Sequence, residues 1–117
     1  MLSKDLLRIP KRMPPRLTIA IPTINRANLL RRAIESALAQ TSPEIEIIVS
    51  DNGSTDETPE VIARYAGRGL RTFRHPSTIH AVKHGEFLIE QSRGEFFLGL
   101  SDDAEFRREN GSGTRRG

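Results

Sequence analysis

The chain has 117 residues, 36% of them apolar and 28% charged, with no cysteine and no tryptophan. That length suits one domain with a single core, and the lack of cysteine excludes a disulfide framework and a thiolate metal site. The formal charge of +3 belongs to the ends: residues 1–16 carry +4 and residues 107–117 carry +3, leaving −4 on residues 17–106, so the basic balance does not mark a nucleic-acid surface.

Residues 1–16 read as a basic, proline-containing arm, because Pro10, Pro14 and Pro15 each remove a backbone donor. The apolar run at 17–21 (Leu17, Thr18, Ile19, Ala20, Ile21), stopped by Pro22, predicts a buried strand. Over 27–40 the spacing of Leu29, Leu30, Ala33, Ile34, Ala37 and Leu38 lays one apolar stripe along a helix, with Asn25 or Asn28 as its cap. A second strand is predicted at 45–49, closed by a turn-rich polar cluster at 50–58. Thr58 as cap and Pro59 at the first helical position then open a helix that buries Val61, Ile62, Tyr65 and Ala66 and stops at Gly67 and Gly69. A third strand at 70–74, a third helix at 79–92 and a last strand at 96–100 follow, with Ser101, Asp102 and Asp103 directly after it. Residues 107–117 hold no aliphatic side chain and are expected to form a disordered polar tail.

Strands alternating with helices, and lacking the polar alternation of a one-sided sheet, predict an α/β fold: a Rossmann-like, open, mainly parallel sheet with helices on both faces. Ligands of such sheets sit beyond the carboxyl ends of the strands, where strand order reverses. Three polar clusters occupy those ends: residues 22–26, with Pro22, Thr23, Asn25 and Arg26; residues 51–56, with Asp51 and Gly53; and residues 101–103. Asp51, expected just past a strand with an exposed side chain, can accept a hydrogen bond from a base N–H or a ribose hydroxyl, while Gly53 permits a left-handed turn. The same residues also make an ordinary loop without a ligand. Adjacent Asp102 and Asp103 repel unless a cation compensates them, which suits a hard divalent ion completed by phosphates; the alternative is a solvated acidic turn. There is no phosphate-cradling Gly-x-x-x-x-Gly-Lys loop and no Gly-x-Ser-x-Gly nucleophile motif. His80 and His84 would share a helix face, with His75 as the third histidine, but the zinc reading is weak because no glutamate follows His80.

Together these segments resemble the nucleotide-binding half of family 2 glycosyltransferases, which have the GT-A fold. The likeness runs from the first strand through Thr23, Asn25 and Arg26, the helix ending Ser36-Ala37-Leu38-Ala39-Gln40-Thr41, the segment Glu46-Ile47-Ile48-Val49-Ser50-Asp51-Asn52-Gly53-Ser54-Thr55-Asp56-Glu57-Thr58, and Arg93-Gly94-Glu95-Phe96-Phe97-Leu98-Gly99-Leu100-Ser101-Asp102-Asp103. It covers residues 17–106, a partial GT-A fold. The resemblance implies that Pro22 and Thr23 border the nucleotide pocket, that Asp51 recognises the base, that Asp102 contacts the ribose or the metal, and that Asp103 is the chief ligand to Mg²⁺ or Mn²⁺. It also implies an inverting transfer from a nucleotide-activated sugar, a UDP-sugar foremost, to the hydroxyl of a carbohydrate or lipid-linked acceptor.

Relatives carry the general base and acceptor site beyond the acidic motif, so a truncated enzyme is expected here. Glu105 is too close to the metal carboxylates for that base. A catalytically inactive binding module that keeps the nucleotide scaffold is the alternative; a nucleotidyltransferase fits less well, for want of a glycine-rich phosphate loop. No apolar run reaches the roughly 18 residues of a membrane span and no leader segment is evident, which leads to a cytoplasmic expectation. The basic arm adds the prospect of peripheral contact with an anionic membrane, against that of a merely solvated arm.

Overall fold

The computed structural model describes residues 14–40 and 42–102. Most of the expected arm, the tail at 107–117 and Asp103 lie outside the described residues. The elements are β1 (Leu17–Thr23), α1 (Ala27–Leu38), β2 (Ile45–Asp51), α2 (Thr58–Ala66), β3 (Arg71–Arg74), α3 (Ala81–Gln91) and β4 (Phe96–Gly99). The predicted order is the observed one, but β1 and β2 each continue two residues past their apolar runs, into Pro22-Thr23 and Ser50-Asp51. Their pairing explains the extension: Thr23 and Asp51 are still in register at the carboxyl end of the β1–β2 ladder. Pro22 is tolerated there because β4 pairs with β1 only as far as Ala20 and Gly99, so no partner strand asks for its missing N–H.

The sheet has the order β3-β2-β1-β4 with every pair parallel. The chain adds strands outward from β1 to β3, then returns to the other side of β1, so the order reverses between β1 and β4. Alternation along the strands divides the core between two faces. Ile19, Ile21, Ile47 and Val49 pack with Leu30, Ile34 and Ala37 of α1 and Val61, Ile62 and Tyr65 of α2. Ala20 and Ile48 face the opposite way, onto Leu88 of α3, with Phe73 and Phe87 alongside. Each fully buried aliphatic side chain contributes about 1.5–3 kcal/mol, so these two layers carry most of the stabilisation.

Several local expectations change, and Leu29 and Ala66, expected on the buried faces of their helices, are exposed. Neither Asn25 nor Asn28 caps α1: the cap position is Arg26, without a side-chain bond, and Asp56 from the neighbouring loop accepts from Ala27 N at 3.4 Å instead. Asn25 has a left-handed backbone (φ 52°), which turns its side chain toward that same loop. Thr58 is the first residue of α2 instead of its cap, since Asp56 Oδ1 already takes the Thr58 N–H at 2.8 Å. Finally, β4 is not covered on both faces. It is an edge strand whose four residues are all exposed, Phe96 by 55% and Phe97 and Leu98 by 38% each.

The turn leading into β4 is held from below. Arg93 N and Gly94 N donate to Glu46 Oε2 at 2.7 Å and to Thr18 Oγ1 at 2.9 Å. A Cβ on Gly94 would stand 2.6 Å from Thr18 N, so only glycine allows this approach.

Candidate functional site

At the carboxyl ends of β1 and β2 the two following loops are stitched together by side chains. Asn25 Oδ1 accepts from Thr55 N at 2.7 Å and from Asp56 N at 3.2 Å, while Ser54 Oγ accepts from Asn25 N at 2.7 Å. Gly53 takes the left-handed conformation its sequence position suggested (φ 81°), and a Cβ there would meet Thr78 N at 2.8 Å. Asn52 fixes the segment before α3: its side chain donates to Ile79 O and accepts from Ile79 N, both at 2.9 Å, and its carbonyl accepts from Thr78 Oγ1. The rim is thus a set of backbone turns interlocked by the side chains of Asn25, Asn52 and Ser54.

The third cluster reaches this rim through Asp102. Its Oδ2 accepts from Thr23 Oγ1 at 3.0 Å and its Oδ1 lies 3.2 Å from Arg26 Nη1, bridging the end of β4 to the β1 loop across the point of strand reversal. Asp102 is 6% exposed, so these partners compensate a desolvated carboxylate. Around it opens a cleft of about 250 Å³, lined among others by Thr23, Arg26, Asn52, His84 and Asp102. Of the residues the sequence singled out, Pro22, Thr23, Arg26 and Asp102 meet in this cleft. Asn25 and Gly53 shape its supporting loops.

Asp51 departs from its expected exposure. Because β2 runs through it, strand alternation turns its side chain to the α1–α2 face, where it is fully buried. It lines a separate hollow of about 200 Å³ with Pro59, Ile62, Thr72, Phe73 and Arg74. One carboxylate oxygen accepts from Ser54 N at 3.0 Å. The other has no hydrogen bond, although Arg74 Nε stands 3.7 Å away, within ion-pair range but too far to donate. Asn52, next in sequence, is the residue of this cluster that faces the cleft.

The histidines do not form the shared helix face considered for zinc. His80 caps α3 by accepting from Val82 N at 3.1 Å, whereas His84 is buried against Ser50 Oγ at 2.8 Å. His75 packs edge-on against His84, ring centres 5.1 Å apart. Burial foremost, and the neighbouring His75, push the His84 pKa below its ordinary value against an opposing pull from Asp51, so the ring is neutral near pH 7. Its place in the cleft wall escaped the sequence reading. The available signal was the three-residue and four-residue spacing of Ala81, His84 and Gly85, which sets them on one side of α3. No group of three or more metal-ligating side chains occurs among the described residues.

The profile of Glycosyl transferase family 2 matches residues 18–110. The chain belongs to this family. It is 46% identical over 94 residues to the GalNAc(5)-diNAcBac-PP-undecaprenol beta-1,3-glucosyltransferase of Campylobacter jejuni, a match covering 78% of this chain and 30% of that protein. Among solved structures it resembles residues 1–349 of S. aureus TarS in complex with UDP, with a TM-score of 0.68 and 25% identity over 75% of this chain and 27% of that one. It also resembles the mannosyltransferase PcManGT of Pyrobaculum calidifontis in complex with GDP-Man and Mn²⁺, with a TM-score of 0.73 and 23% identity over 90% of this chain and 34% of that one. The open parallel sheet is therefore the GT-A architecture. The chain spans less than a third of the length of the curated relatives it matches.

Proposed function

We propose that this family 2 segment is the donor-binding part of a glycosyltransferase, taking a nucleoside diphosphate sugar at the carboxyl end of the sheet. The observation that carries the reading is the bridge from Asp102 to Thr23 and Arg26, which joins the acidic motif to the β1 loop at the switch point beside an open cleft. The sugar and diphosphate occupy the cleft between β1 and β4. The base reaches the hollow beside Asp51, whose buried oxygen without a hydrogen bond would accept a base N–H. A nucleobase thereby supplies the hydrogen bond that this acceptor lacks beside the more distant Arg74.

The donor set suits a divalent ion. The carboxylate of Asp102 offers about four lone-pair sites, of which described residues use two, and phosphate oxygens would complete the shell of a hard cation. Asp102 and Asp103 would hold Mg²⁺ or Mn²⁺, which when bound neutralises charge on the departing nucleoside diphosphate. Arg26, half exposed, pairs with Asp102 and can turn out toward a phosphate. Bonds to the β1 and β2 loops hold the site in place, so the protein's contribution is orientation of the donor.

Transfer requires an acceptor hydroxyl to attack the anomeric carbon as the bond to the diphosphate breaks, with its proton passing to a base. Among the described residues lining the cleft, the ionisable side chains are Arg26, His84 and Asp102, none placed as a free base. Donor binding without transfer is therefore the second reading for this segment by itself. Inverting chemistry, a lipid-linked acceptor and peripheral membrane contact are further parts of the proposal. They rest on the family and on the basic arm, and no described helix is long and apolar enough to cross a membrane.

Calorimetry of UDP and GDP with and without Mn²⁺ tests the donor site. Binding that needs the metal and weakens at least about tenfold in Asp102→Ala supports it, on the scale of one charge-assisted contact. No heat at millimolar nucleotide, or indifference to both changes, overturns it.

A further inference from the structure

The donor reading leaves a buried, neutral imidazole in the cleft wall without a task. His84 is 3% exposed and its Nε2 lies 2.8 Å from Ser50 Oγ. Nδ1 makes no hydrogen bond to the described residues and is not among the buried polar atoms left without a partner, so it is open to the cleft. Ser50 is itself fully buried, and its hydroxyl has no hydrogen-bond partner but this ring. The hydroxyl proton therefore goes to Nε2: either arrangement leaves one donor without a protein partner, and a donor at the cleft-facing Nδ1 can be hydrated, whereas the O–H of the fully buried Ser50 cannot. A neutral ring that accepts at Nε2 carries its proton on Nδ1. The surroundings favour an anion as its partner. Ala81 and Gly85 line the same cleft, and a Cβ on Gly85 would meet nothing within 4 Å, so the first turns of α3 leave room beside the ring. That helix has 11 residues, enough for its amino end to present partial positive charge. Asp102 stands in the same cleft on the β4 side.

We propose that His84 is a donor-contacting residue that offers Nδ1–H to a phosphate oxygen of the nucleoside diphosphate, with Ser50 fixing the tautomer that makes it a donor. The inference rests on the donor-site reading and assigns the wall of the cleft opposite the acidic motif. His75 and Asp51 are the ionisable groups whose charge acts on the ring, and Asp102 and Arg26 are those lining the rest of the cleft. A neutral donor at this point discriminates for phosphate without adding a buried charge.

The test uses the whole chain labelled with ¹⁵N-histidine, titrated at neutral pH with UDP, GDP and uridine in Mg²⁺. The free protein is expected to show the Nδ1–H tautomer at His84, and UDP or GDP should shift Nδ1 while uridine leaves it in place. In the variant His84→Ala the nucleoside diphosphate should bind about tenfold more weakly with uridine unaffected, since one hydrogen bond to a charged oxygen is lost. The spectrum of the unmutated protein decides the matter should the variant not fold. Nucleotide binding with an Nε2–H tautomer, an undisturbed ring, or an equal loss for uridine overturns the inference and leaves the donor site standing. Failure of both UDP and GDP to bind overturns the donor reading and this inference with it.

Discussion

The centre of the sheet and its β4 edge are built from similar residues yet held very differently. In β1 and β2, Ile19, Ile21, Ile48 and Val49 are buried between helices, and the loops beyond them are locked by Asn25 and Asn52. In β4, Phe96, Phe97 and Leu98 face solvent, and the strand is secured by its ladder to β1, the Gly94 turn and the Asp102 bridge. The difference teaches that the rim proposed to take the nucleotide is preformed, whereas Asp102 is attached to it through few contacts among the described residues. An exposed apolar edge is also a surface that attracts other chains.

The largest effect should come from equal truncations in the two regions. Leu30→Ala, in the fully buried layer over β1 and β2, is expected to lower unfolding free energy by about 2–5 kcal/mol. Leu98→Ala on β4 should cost about 1 kcal/mol or less, because much of that side chain is already hydrated. Urea unfolding of both variants measures the contrast; equal losses would dissolve it. Next, Gly94→Ala forces a Cβ into Thr18 N and should cost about 1–3 kcal/mol by strain at the base of β4. If Gly94 matters by proximity alone, Gly67→Ala, where a Cβ meets nothing, should be far milder.

The clamp beneath that turn gives a smaller, pH-dependent effect. Burial would raise the Glu46 pKa, but hydrogen bonds from Thr18, the Arg93 backbone and Arg71, together with the Arg71 charge, outweigh it and hold the carboxyl below its ordinary value of 4.5. A depressed folded pKa means the unfolded chain binds the proton more readily, so this stabilisation is present above pH 4.5 and is lost as pH falls through the folded value. Stability measured between pH 6 and pH 3 should fall with a slope that Glu46→Gln reduces; an unchanged slope would remove Glu46 from the account. The smallest effect is expected from Asn25→Ala, about 1 kcal/mol in stability for partly exposed hydrogen bonds, with a larger loss of nucleotide affinity if the rim must be preformed.

Much of this organisation was legible in the sequence, because short apolar runs and helical stripes report burial directly. The alternation of strands and helices, the glycine turn at Gly53 and the gathering of Thr23, Arg26 and Asp102 follow from that pattern and from the family likeness. The orientation of Asp51 was not legible, because a two-residue extension of β2 decides which face its side chain takes and polar residues give no hydrophobic signal there. His84 and Asn52 were missed as cleft residues because their partners lie 34 and 27 positions away, beyond any local pattern. The exposure of β4 escaped for the converse reason: its apolar run looks the same whether or not a helix covers it.

Relaxation by Mn²⁺ in the presence of UDP or GDP, read on the backbone amides of the whole chain, tests the central claim most directly. Broadening centred on Thr23, Asn52 and Asp102, and abolished by omitting nucleotide or by Asp102→Ala, is the predicted result. Broadening centred at the amino ends of the strands around Glu44 and Glu46, or none at any residue, would contradict a donor site at the carboxyl rim of the sheet.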